Sequence, residues 1–296
     1  MGKEFCSPPS PEEVKKQLLS LRAGFPRVRV FSAGRSSQGR DIPALLAGSP
    51  RGAALFVAGA AAGEGMATRI LLRFSRDLLL AAGENAALTE INAAKALENR
   101  GVFVIPQLNP DGAALRALGP EEQKSAPERI LSLCGGDLSR WQANSRGVDL
   151  RAQFPAGWRA PEQKAEKDAP SAPAPEGFGG YRPLSEPESR GLAALARAGR
   201  IRHCLFFREG RGALLFRGGE NTPPRARLMA ELLARAAGYR VSSAPLESGS
   251  FPLWFVEAFR RPAFQLSIGG GRSFCPKEEE LLYRRLLETM MTGLLL

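Results

Sequence analysis

The sequence predicts an α/β fold in which a mostly parallel sheet is covered by helices on both faces. Short β-like apolar runs alternate with segments of helical spacing along the chain. The run "GVFVIPQL" (101–108) reads as a buried strand, as such sheets require. With 296 residues and 44% hydrophobic content, the chain is long enough to bury a sizeable core. No internal repeat is visible, and a single domain over 1–296 is expected, with residues 1–10 as an N-terminal tail.

The first helix opens on "SPEEVKKQLLSL". Ser10 suits the N-cap, Pro11 the first helical position, and Glu13, three residues after the cap, completes a capping box. Three strands are expected at "RVRVF" (27–31), "IPALLAG" (42–48) and "AALFVAG" (53–59), separated by the turns "GRSSQGRD" and "SPRG". Met66, Ile70, Leu71, Phe74 and Leu78 then share one face of a helix over 64–81. The strand 101–108 runs into "NPDG", which reads as a turn.

Residues 156–183 are rich in Pro, Ala and charge without periodicity, which predicts a long surface loop. Beyond it are expected a helix at 186–198, strands at "HCLFF" and "ALLFRG", and a helix at 224–237. A short strand near "YRVSS", a strand at 263–269 and a last helix from 277 to about 293 complete the order.

Composition narrows the functional classes. No apolar run approaches the roughly 20 residues a bilayer span needs, and the N-terminus lacks an apolar stretch followed by a cleavage site. Cys6, Cys134, Cys204 and Cys275 lie far apart with no CxxC pair, so packed, reduced thiols and a cytoplasmic location are expected. The net charge is +11, and only eight of the 41 cationic residues are lysine. The arginines are dispersed along the sequence without a basic block or interleaved aromatics, so a nucleic-acid partner is not expected. One count stands apart: the only histidine is His203.

The order of motifs resembles a known family. "AGRSSQGRDIPALLAGSP", "VAGAAAGEGM", "VFVIPQLNPDG", "WQANSRGVDLRAQFPAGW", "LSEPESRGLAAL" and "SFPLWFVEAFRRPAFQLSIGGG" follow, in sequence, the landmarks of the zinc carboxypeptidases, the M14 metallopeptidases. The likeness is greatest to the bacterial branch acting on γ-D-glutamyl-diaminopimelate peptides of peptidoglycan type. It implies a three-layer fold with a mixed, mostly parallel sheet flanked by helices. It also implies a Zn²⁺ held by two His and one Glu, with a second Glu as general base.

Residue by residue, the implied machinery is altered. The ligand Glu matches Glu64, but the first ligand His falls on Ala61 and the second on Phe207. The general-base position reads Ser267. The pair that binds the substrate's terminal carboxylate reads Arg151 and Ala152, and the basic position after the landmark tryptophan is Gln142. The metal argument also stands without the match, because a two-histidine site cannot be built from one histidine. His203 lies near the start of its strand, roughly 13 Å from the strand's C-terminal end, and suits a packed position. The thiols have no ligand-like spacing.

These positions predict a homologue that has lost zinc, cofactor and peptidase activity, keeping at most a cleft for a peptide or cell-wall fragment. The alternative is an active hydrolase with an unconventional metal site including Glu64. Two readings of Glu64 stand open: a carboxylate stabilising the first turn of helix 64–81, or a relic ligand in a pocket for something cationic. Either allows an ion pair between Glu64 and Arg151. Ser267 has no histidine nearby to activate it and suits a small residue closing over the old site. Asp111 and Asp149 suit structural turns. Gly-rich "IGGGRS" (268–273) lacks a phosphate-loop arrangement and reads as a flexible loop. Trp141, Trp158 and Trp254 read as packing anchors.

Overall fold

The elements follow the predicted alternation. In the computed structural model they are α1 (Pro11–Gly24), β1 (Arg29–Arg35), β2 (Asp41–Gly48), β3 (Ala54–Val57), α2 (Gly65–Gly83), a small ribbon of β4 (Ala87–Leu88) and β5 (Ile91–Asn92), α3 (Ala93–Glu98), β6 (Gly101–Ile105), α4 (Pro110–Leu118) and α5 (Pro127–Leu133). Later in the chain come α6 (Pro187–Ala198), β7 (His203–Glu209), β8 (Ala213–Leu215), α7 (Arg225–Ala236), β9 (Arg240–Val241), α8 (Phe251–Phe259), β10 (Ala263–Ile268) and α9 (Pro276–Leu295). The structure describes residues 7–25, 28–98, 100–122, 127–160, 163, 170–269 and 276–296. Cys6, Cys275 and most of the glycine-rich run 268–273 lie outside the described residues.

Eight strands form one mixed sheet in the order β1-β2-β6-β3-β7-β10-β8-β9. β6, β3, β7 and β10 are mutually parallel, while β2 joins β6 and β8 joins β10 in antiparallel fashion. Alternation along each strand divides the core between two faces. On one face Phe56, Phe207 and Phe264 meet side chains of α1, α2, α7 and α9, with the Phe56 ring 5.7 Å from Phe74 and 6.0 Å from Phe207. On the other, Leu55, Cys204 and Phe206 meet α6, α8 and the 150–156 turn, where Phe154, Phe251 and Trp254 stack within 5.8 Å of one another. Each such fully buried side chain contributes about 1.5–3 kcal/mol. Three layers result, as the resemblance implies.

The capping box forms as predicted: Ser10 Oγ accepts from the Glu13 N–H at 3.3 Å, and Glu13 Oε2 accepts from the Ser10 N–H at 2.7 Å. Two expectations are corrected. "NPDG" does not stand as a free turn but opens α4, with Asn109 as N-cap and Pro110 in the first helical turn. Asn and Pro are as well suited to a helix start as to a turn, which is why local chemistry misled. The second is α8, which no spacing revealed because "FPLWFVEAF" has almost no polar face to set a period.

Two stretches expected at the periphery pack inward where described. Pro8, Pro9 and Ser10 are buried, and Gln107 Nε2 donates to the Pro9 carbonyl at 2.8 Å. Within 170–183, Phe178 is 1% exposed, and the Pro175 carbonyl accepts from the N–H groups of Gln142 and Ala143. This stretch is a wall against the 141–149 segment.

Candidate functional site

Because β3, β6, β7 and β10 run parallel, their C-terminal ends open on one edge of the sheet, where ligand sites of α/β folds form. The turn leaving β3 is fixed mainly by backbone groups. Asn109 Nδ2 donates to the carbonyls of Ala60 and Ala143 at 3.2 and 3.1 Å, while its Oδ1 accepts from the Gly112 N–H. A Cβ on Gly112 would lie 2.5 Å from the Ala143 oxygen and 2.8 Å from the Ala62 methyl, so only glycine fits there. Gln142 completes the frame: its carbonyl accepts from Ala62 N–H, and its side-chain Oε1 accepts from Gly63 N–H at 3.1 Å. Small residues at 60–63 let three chain segments approach closely.

Glu64 follows this turn and is 5% exposed. It occupies the N-cap of α2, yet its side chain makes no capping bond. One oxygen, Oε2, accepts from the Ala61 N–H at 3.1 Å, and the other, Oε1, lies 3.8 Å from Nε of Arg208. The helix end is served instead by Glu209, whose Oε1 accepts from the Met66 N–H at 2.7 Å. Both carboxyls are pushed toward protonation. Burial raises Glu64 against the pull of Arg208 and Arg151; burial and then the neighbouring Glu64 push Glu209 to about 7.

Glu64 thus stands at the start of α2 without a capping bond, and the ion pair with Arg151 that the sequence left open does not form. Arg151 is engaged elsewhere. Its Nε and Nη2 grip Asp149 at 2.9 and 2.6 Å, and Nη2 also reaches Glu176 at 2.7 Å. Arg151 and Glu64 feel each other electrostatically, but the cation beside Glu64 is Arg208. Arg208 also donates through Nη1 to Glu247 at 2.5 Å, and Gln265 on β10 donates to the other Glu247 oxygen at 3.3 Å.

Phe207 is fully buried on the opposite face of the sheet, against Phe56. Cys204, Phe206 and Arg208 share the face turned away from Phe207, so Arg208 is the β7 side chain that reaches Glu64. Ser267 pairs in register with Arg208 across the β7–β10 ladder and with Ala213 across β8–β10. Ala152 contributes no polar side chain, and the Gln142 amide is committed to Gly63. His203 sits at the far end of β7, 1% exposed, with Nε2 2.8 Å from the Gly293 carbonyl. Burial and Arg202 push it down to about 3.

Asp111 and Asp149 serve the scaffold. Asp111 is fully buried and accepts from the hydroxyls of Ser36, Ser37 and Ser145, from the Gln38 N–H, and from Arg40 Nη1 at 3.0 Å. Asp149 caps the turn at Leu150–Ala152 through the Arg151 N–H and also accepts from Gly177 N–H. Its pKa stays lowered because Arg151 and these donors outweigh burial. Trp141 and Trp254 are buried, and Trp158 Nε1 donates to the Gly179 carbonyl at 3.0 Å.

A family model for zinc carboxypeptidases (Peptidase_M14) matches residues 15–245. The chain belongs to that family. It is 28% identical over 283 residues to the gamma-D-glutamyl-L-diamino acid endopeptidase 1 of Lysinibacillus sphaericus, covering 94% of this chain and 70% of the relative. Its fold matches carboxypeptidase A of Helicoverpa armigera at a TM-score of 0.75, with 19% identity over 98% of this chain and 73% of the other. Murein-tripeptide amidase MpaA of Escherichia coli O157 matches at 0.56, with 20% identity over 94% and 95% of the two chains.

For a member of this family the donor set is unusual. Around Glu64 stand a methyl group at Ala61 and the guanidinium of Arg208, while the ring of Phe207 packs on the other face. Among the described residues no group of three His, Cys, Asp or Glu side chains gathers to hold a metal ion. Two neighbouring carboxyls, Glu64 and Glu209, with a guanidinium beside the first, fall short of the three protein ligands that Zn²⁺ takes in catalytic sites. Arg208, Glu209, Glu247 and Glu176 were missed from sequence. Strand alternation carried two residues past Phe206 would have found the first.

Proposed function

We propose that this chain is a non-hydrolytic zinc carboxypeptidase homologue whose cleft binds a carboxylate-bearing peptide or cell-wall fragment. The observation that carries the reading is Arg208, whose guanidinium stands 3.8 Å from the one retained ligand, Glu64. A divalent ion there would meet a positive charge at close range and find too few donors. The general-base position is a serine, with no histidine at its end of the sheet to activate it.

Binding is supported by the rim. Glu176 and Glu247 are 61% and 51% exposed, and each occupies an arginine, Arg151 and Arg208 respectively. A ligand carboxylate can exchange for either exposed glutamate at small cost, because such partly solvated pairs are weak. The relative that acts on gamma-D-glutamyl-L-diamino acid bonds makes peptides of that class the first ligands to try.

The test begins with zinc. Protein equilibrated with excess zinc and desalted is expected to carry far less than one metal per chain, and to leave γ-D-glutamyl-diamino acid peptides uncleaved. Calorimetry with the same peptides is expected to show binding that weakens in Arg151→Ala. Stoichiometric zinc together with turnover that disappears in Glu64→Ala would overturn the reading.

A further inference from the structure

Three chain segments close on the backbone of Ala152. A Cβ on Gly179 would stand 2.6 Å from the Ala152 carbonyl oxygen, and one on Gly249 would stand 3.0 Å from it. Phe154 N–H donates to the Gly249 carbonyl at 2.7 Å, and Gly249 N–H to the Ala156 carbonyl at 2.6 Å. The 170–183 wall, the turn at 149–156 and the loop before α8 are therefore locked together. They carry Glu176, Arg151 and Glu247, and β7 adds Arg208.

The two arginines are held alike. Their side chains are only 13% and 16% exposed, for Arg151 and Arg208 respectively. Each faces one buried carboxyl, Asp149 or Glu64, and one exposed glutamate, Glu176 or Glu247. Both also lie within electrostatic reach of Glu64. Arg208 keeps a buried donor unused, since its Nε has no hydrogen-bond partner. These are fixed, partly desolvated cations, each closed on its outer side by a carboxylate that water can take back. The solvated arginines of the surface are not arranged in this way.

We propose that the cleft binds a ligand carrying two carboxylates, one on Arg151 and one on Arg208, and that Glu176 and Glu247 are built-in stand-ins which it displaces. The proposal rests on the reading of the cleft as a binding site, and it adds Arg208 as an anchor that no matched family position supplies. A guanidinium fork takes a carboxylate through two parallel hydrogen bonds. The second engagement by one molecule is intramolecular, so two modest contacts combine into a tight complex. A ligand with a single carboxylate releases one glutamate and leaves the other arginine closed. A cationic ligand would have to sit beside two fixed positive charges.

Calorimetry on the full chain tests it with γ-D-glutamyl-L-lysine and its two monoamides, each lacking one of the two carboxylates. The di-acid is expected to bind at least about tenfold more tightly than either monoamide. Arg208→Gln, measured well below its unfolding midpoint, is expected to remove that advantage and to leave one monoamide unaffected. Glu176→Gln and Glu247→Gln keep the fold intact at exposed positions and are each expected to tighten di-acid binding about two- to fivefold, the worth of a partly solvated ion pair. Glu231→Gln, an equal charge change at an exposed ion pair on α7, is expected to leave binding as it is. Equal affinity for the three peptides, or glutamate variants that bind no more tightly than Glu231→Gln, would overturn the proposal while leaving the cleft a binding site. No binding of any peptide, even with both glutamates replaced, would overturn the proposal and the binding reading together.

Discussion

Two buried carboxylates stand near the C-terminal ends of adjacent strands and live in opposite circumstances. Asp111, just beyond β6, is surrounded by donors: three serine hydroxyls, a backbone N–H and the guanidinium of Arg40. Glu64, just beyond β3, has one backbone N–H and an arginine at 3.8 Å. The first belongs to a frame whose every oxygen lone pair is used. The second sits where an ion's coordination shell belongs in the family, and the chain has filled that place only in part. Scaffold chemistry and site chemistry have therefore parted company within one fold.

The largest effect is expected on the Asp111 side. Asp111→Ala removes the shared acceptor of Arg40, the Gln38 N–H and three serine hydroxyls and is expected to cost about 3–5 kcal/mol, read by urea unfolding. Loss of less than about 1 kcal/mol would erase the contrast. Next is Arg208→Ala, which leaves Glu64 buried without its neighbouring cation and is expected to cost about 2 kcal/mol. Glu64→Gln removes the charge and keeps the shape, so it is expected to stay within about 1 kcal/mol of the parent. In the double variant the two changes should not add, because the amide relieves what the lost arginine imposed. Strict additivity would show that Arg208 and Glu64 do not interact.

Much of this frame was legible in the sequence. The capping box at Ser10 and Glu13 is local chemistry, and the strands at 42–48 and 101–108 are short apolar runs with flanking turns, so both could be read directly. The landmark run "NPDG" marked the right place but the wrong element, since Asn109 and Pro110 suit a helix start as well as a turn. At the site, position matching found Glu64 and lost Arg208. A one-residue step along a strand changes the face, so the residue that matches a ligand by order, Phe207, is in the core while its successor stands in the cleft. Glu247 and Glu176 come from distant loops, and only folding brings them to Arg208 and Arg151.

The smallest effect sharpens the comparison from inside the Asp111 region, where one carboxyl is left short. Glu188, at the start of α6, is fully buried; its Oε1 accepts from the Ser37 N–H at 3.0 Å, and its Oε2 has no hydrogen-bond partner. Burial pushes its pKa up to about 7, with Asp111 and Glu186 adding to the rise, above the ordinary 4.5. The folded state thus holds this proton more tightly than the unfolded chain does. Stability from Glu188 is fully present below about pH 4.5 and is lost as pH rises toward 7 and beyond. Glu188→Gln fixes a neutral side chain, so it is expected to flatten that part of the stability–pH curve and to gain about 1–2 kcal/mol on the parent at pH 8. Glu209, raised in the same direction at the cleft, keeps a residual slope in that variant, which Glu209→Gln added to it is expected to reduce further. If Glu188→Gln leaves the curve unchanged, the uncapped oxygen is solvated in solution, and the Asp111 region is looser than its hydrogen bonds imply.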